Sequence, residues 1–69
     1  MKAIISTNNN KGVKYTNLRA AVSMFSALIV VRLENGYHIA DEGRAKNSRA
    51  VLLCKKGRKD VNLELYLTA

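Results

Sequence analysis

Apolar and polar residues follow different periods along the chain, and the changes of period predict its elements. Lys2, Ala3, Ile4, Ile5, Ser6 and Thr7 read as a short β-strand, and the polar stretch Asn8, Asn9, Asn10, Lys11 and Gly12 reads as a turn-rich loop. Leu18, Ala21, Val22 and Phe25 then recur at i, i+3, i+4 and i+7, one apolar face of a helix. Thr16 or Asn17 is the natural N-cap, because each side chain accepts a bond from a free N–H of the first turn. The helix is expected to end near Ser26 or Ala27.

The run Leu28, Ile29, Val30, Val31, Arg32, Leu33 is rich in β-branched residues and predicts a second strand. Glu34, Asn35 and Gly36 turn the chain, and Tyr37, His38, Ile39 and Ala40 return. A two-residue Asn-Gly turn pairs Leu33 with His38. A three-residue turn with Gly36 left-handed pairs Leu33 with Tyr37 and is preferred, because it keeps Ile29, Val31, Leu33, Tyr37 and Ile39 on one face. Asp41, Glu42, Gly43 and Arg44 read as a loop. A second short helix is expected from Asn47 or Ser48 through Val51, Leu52 and Cys54, with Gly57 as its stop. Val61, Leu63, Leu65 and Leu67 alternate with Asn62, Glu64, Tyr66 and Thr68, a final strand. The predicted fold class is α+β, a βαββαβ open-faced sandwich with a four-stranded antiparallel sheet and two helices on one face.

Composition bounds this picture. A chain of 69 residues supports one domain, 1–69, and 48% apolar with 25% charged residues suits a globular chain. A single cysteine, Cys54, excludes an internal disulfide and a multi-cysteine metal site; no metal or cofactor is expected. The longest apolar run, 27–31, is far short of the ~20 residues of a membrane helix, and the N-terminus lacks the long apolar region of a secretory signal. A cytoplasmic protein without membrane contact is the expectation.

The net charge of +7 is unevenly distributed. Lys2, Lys11, Lys14, Arg19 and Arg32 precede the first acid, Glu34, and between Gly43 and Lys59 lie Arg44, Lys46, Arg49, Lys55, Lys56, Arg58 and Lys59 with no acid among them. Such segregation draws anionic partners to particular surfaces, although net charge also serves solubility.

The order of elements, and the second half in particular, resembles the phosphocarrier protein HPr and its relatives. The resemblance is carried by Arg44-Ala45-Lys46-Asn47-Ser48 before a short apolar helix, by Lys55-Lys56-Gly57, by the terminal Leu65-Tyr66-Leu67-Thr68-Ala69, and by Gly12-Val13-Lys14 ahead of a helix containing Ala20-Ala21. It implies the family's sandwich fold, with the active-site loop at 12–14 and the regulatory serine at Ser48 or at the position of Asn47. The family's phosphorylated histidine is replaced by Lys14, which is protonated near neutral pH and cannot accept a phosphoryl group. The family's third helix has no counterpart, so the resemblance also implies an uncovered sheet face on which a homodimer could form.

Two basic clusters are the candidate sites. At the start of the expected second helix, free N–H groups with Arg44, Lys46, Ser48 and Arg49 would hold an anion. Lys55, Lys56, Arg58 and Lys59 suit a phosphate backbone, and also an ordinary solvated turn. Lys14 and Arg19, at the start of the first helix, are added because the family's partners approach that side. Aromatics are few, and only Tyr66 is expected on the open sheet face, which argues against an RNA-recognition module. His38 is expected on a strand surface. Cys54 is expected in the core beside Val51; its neighbours Lys55 and Lys56 would lower the thiol pKa if it were reactive. No nucleophile–base arrangement or phosphate-binding glycine loop occurs, so an enzyme is not expected. The leading expectation is a small basic regulatory protein docking on an acidic protein surface, in the style of a phage-encoded accessory modulator. Nucleic-acid binding through the basic second-helix surface is the alternative.

Overall fold

A computed structural model describes residues 2–8 and 10–68; Asn9 of the first loop and Ala69 of the terminal motif lie outside them. The elements are β1 (Lys2–Thr7), β2 (Val13–Tyr15), α1 (Leu18–Glu34), β3 (His38–Ala45), β4 (Ser48–Cys54) and β5 (Val61–Thr68). All strands join one antiparallel sheet in the order β2-β1-β5-β4-β3, with α1 packed on one face.

β1, β5 and the helix cap are as the sequence predicts. Asn17 is the N-cap, in extended backbone, and its Oδ1 accepts from the Ala20 N–H at 3.2 Å. The helix does not stop near Ala27. It runs on to Glu34, and the segment expected as a second strand is its C-terminal half. Ile29 continues the Ala21–Phe25 stripe into the core, and a short apolar run does not by its content tell strand from buried helix. Asn35 and Gly36 therefore end a helix and do not turn a hairpin. The N–H of Gly36 (φ +91°) donates to the Leu33 carbonyl, and that of Tyr37 to Arg32, so Leu33 is paired across a sheet with neither Tyr37 nor His38.

The second expected helix is absent; residues 48–54 form β4, on which Val51 and Leu53 are fully buried and face the helix. Asp41 to Arg44, expected as a loop, lie in β3, an edge strand whose every residue is exposed and which therefore shows no apolar alternation. The HPr-like sandwich of four strands and two helices is thus overturned: the protein has five strands and one helix.

The core is one cluster. Ala3 and Ile5 of β1, Val51 and Leu53 of β4, and Val61, Leu63 and Leu65 of β5 meet Ala21, Phe25 and Ile29 of the helix. The helix lies over the middle of the sheet, and the molecule is elongated, 38 × 20 × 19 Å.

A basic groove at one end of the sheet

Antiparallel register decides which cations meet. Arg44 stands directly opposite Arg49 in the β3–β4 ladder, and Ala45 opposite Ser48, leaving Lys46 and Asn47 as the hairpin tip. Directly opposed residues share a face, and Arg49 lies over Phe25 of the helix, so both arginines are on the helix side. Like charges in that relation repel. Arg49 is partly compensated by Glu42 Oε1, 3.6 Å from its Nη2, whereas Arg44 has no ion pair among the described residues.

The two arginines and the hairpin tip form one wall of an open groove of ≈ 300 Å³. Leu18, Val22 and Phe25 of the helix and Leu65 and Leu67 of β5 form the rest. The tip is tied to the sheet by the Leu67 N–H, which donates to the Asn47 carbonyl at 2.8 Å. An apolar floor beside two guanidinium groups, one of them partly compensated by Glu42, suits a further carboxylate attached to an apolar body: the arginine forks hold the oxygens while the floor takes the rest.

Carboxylates are absent from this end of the sheet among the described residues. The row Lys14, Ile4, Tyr66, Ser48, Ala45 and the row Val13, Ile5, Leu65, Arg49, Arg44 contain none. Glu64 and Glu42 first appear in the next two rows.

The sequence-predicted site residues are only partly brought together. Arg44, Lys46, Ser48 and Arg49 meet at the groove, but on a hairpin; with no second helix there is no helix N-terminus to bind an anion. Lys55, Lys56, Arg58 and Lys59 occupy the β4–β5 turn at the opposite end of β4, about 20 Å away at ~3.3 Å per strand residue. Extended backbone separates what a short helix would have kept together. Lys55 has a structural partner there: its Nζ donates to the Asn35 carbonyl at 2.6 Å, at the C-terminus of α1. Lys14 lies on the far edge strand, and the exposed Arg19 follows groove residue Leu18 on the helix. The groove's apolar floor, above all Leu18, Val22, Leu65 and Leu67, was not singled out from sequence. The alternation of Arg49, Val51 and Leu53 is the signal that places Arg49 on the core side.

Cys54 lies half-buried at the end of β4 and not on a helix. Its thiol pKa is raised, not lowered: a hydrogen bond with the Asp60 side chain contributes most, then burial, then the Asp60 charge. Lys55 and Lys56 do not reverse this. His38 is exposed at the start of β3, and among the described residues no three His, Cys, Asp or Glu side chains converge as a metal site. No helix among them is long and apolar enough to cross a membrane.

The chain matches no family model, and comparison with curated proteins and with solved structures likewise found no match.

Proposed function

We infer that this is a non-catalytic binding protein that docks on an acidic protein surface through the groove between α1 and the β3–β4 hairpin. The observation that carries this is the pair Arg44 and Arg49, held directly opposite each other at the edge of an apolar floor, with Arg44 uncompensated among the described residues and Arg49 only partly compensated by Glu42. The repulsion between them is relieved when a carboxylate enters, so the site favours an Asp or Glu flanked by apolar side chains. A continuous nucleic-acid track is less well served, because the lysine-rich turn stands at the other end of the sheet.

Fluorescence anisotropy with peptides pairing Asp or Glu with Leu or Phe tests this, with amide-substituted peptides and mixed-sequence nucleic acids as comparisons. Arg44→Glu and Lys46→Glu, both at exposed positions, should each weaken peptide binding about tenfold, as the loss of a charged hydrogen bond does. Binding to nucleic acid alone, abolished by neutralising Lys56, Arg58 and Lys59, would instead establish the nucleic-acid alternative.

A further inference from the structure

Six of the eight large apolar side chains left exposed lie on α1. Ala21, Phe25 and Ile29 bury its inner stripe, yet Leu18, Val22, Met24, Val30, Val31 and Leu33 all remain exposed, Val30 and Val31 by about half (51% and 52%). Helices of ordinary surface character carry charged residues there. At 100° per residue, a line through Arg19, Ser23, Ser26 and Ala27, Val30 and Glu34 runs along the side away from the buried stripe, with Ser26 at its margin. Its middle is small, its flanks are apolar, and its two charges are of opposite sign at opposite ends. Neither Arg19 nor Glu34 has an ion pair among the described residues.

This line is self-complementary. It is symmetric about the point between Ser26 and Ala27: Arg19 corresponds to Glu34, Ser23 to Val30, and Ser26 to Ala27.

We propose that two copies of this chain associate through their α1 helices, antiparallel about a two-fold axis between Ser26 and Ala27. Rotation about that axis sets Arg19 of each copy against the partner's Glu34, and Val30 into the space left by the partner's Ser23. The small residues at the centre allow the close end of the usual 8–10 Å interaxial range. An isologous contact of this kind closes at two copies. A 17-residue helix is ~25 Å long, so the pair buries on the order of 1,000 Å² in total, the lower end for a specific interface. The dimer is therefore expected to be reversible, with a dissociation constant in the micromolar range. The groove lies on the sheet side of the helix and stays open at both ends of the assembly, so the proposal does not depend on the function inferred above.

Sedimentation equilibrium over a concentration series tests it. The wild-type chain should move between monomer and dimer. Ala27→Glu sets two carboxylates at the axis and should abolish the dimer, while its circular dichroism stays that of the wild type. Arg19→Glu and Glu34→Arg should each weaken association roughly tenfold, since each turns two attractive pairs repulsive. The double variant carrying both should recover it, which only the antiparallel arrangement predicts. Arg44→Glu should leave it unchanged. A wild-type chain that stays monomeric throughout, or a double variant that fails to recover, would overturn the proposal; so would a monomer that instead sediments with lipid vesicles.

Discussion

The guanidinium of Arg49 lies over the ring of Phe25, 5.5 Å from its centroid, and joins the basic groove to the core. Phe25 is 1% exposed, and the arginine lies over its ring at the rim of the core. Packing and the proposed binding therefore share one side chain.

Truncating this contact from its two sides should give different results. Phe25→Ala should cost about 3–5 kcal/mol, enough to unfold a chain this small or nearly so. Arg49→Ala should cost only about 1 kcal/mol, from lost cation–π contact and stem packing, while removing peptide binding. Urea denaturation gives both values, and anisotropy on the still-folded Arg49 variant separates its two roles.

Gly12 is a position where no side chain fits. A Cβ there would meet Cγ2 of Ile4, and would lie 3.0 Å from the Ile5 carbonyl oxygen. Ile4 is β-branched and stiff, and the carbonyl belongs to the β1 backbone, so neither yields cheaply. Gly12→Ala should destabilise by about 1–3 kcal/mol. Gly43, with open space around it, is the control: Gly43→Ala should change the urea midpoint little.

Lys55 and Lys56 look equivalent in the sequence and should not behave so. Lys55 donates to the Asn35 carbonyl at the helix C-terminus, and its Nζ lies 5.7 Å from the centroid of the Tyr37 ring. Lys55→Ala should cost about 1 kcal/mol, and more at low salt, where the helix-end interaction is less screened. Lys56 is exposed, and Lys56→Ala should stay within about 0.5 kcal/mol. Thermal melts at two ionic strengths check the difference.

Cys54 should be a slow thiol. Asp60 and partial burial raise its pKa, so at pH 8 less of it is thiolate than in an unstructured peptide. Alkylation by iodoacetamide should be slower in the folded chain and should speed up in Asp60→Asn, which removes the carboxylate charge. Equal rates in wild type and variant would show that Asp60 has no hold on the thiol.

How much of this could be read from residues alone differed by element. Val61, Leu63 and Leu65 in β5 point to a core on one side only, and such a strand shows its period, whereas β1 was legible as a short apolar run before a polar loop. The helix start was legible because Asn17 is a local cap. Its second half was not, because residues 28–33 combine β-branched content with a helical placement set by Ile29 against the sheet. Only the start of β3, His38 to Ala40, was legible as strand; the rest was hidden for the opposite reason, since an edge strand exposed throughout has no apolar alternation to reveal it. The basic clusters were legible as residues, but not as a site. Whether Arg44, Arg49 and the lysine turn stand together depends on whether 48–54 is a helix or a strand. Composition does not decide that; the burial of Val51 and Leu53 does.

The position of β5 sets an order of events for the chain as it is made. The strand synthesised last lies at the middle of the sheet, between β1 and β4. Until it emerges from the ribosome, β1 with β2 and β3 with β4 are two hairpins joined by no ladder, and the floor under the helix lacks its central strand. Pairing Lys2 with Thr68 closes a loop of nearly the whole chain. Folding should therefore occur in one late step, with a rate limited by that closure. A ribosome stalled before residue 61 should hold a nascent chain that proteases cut freely.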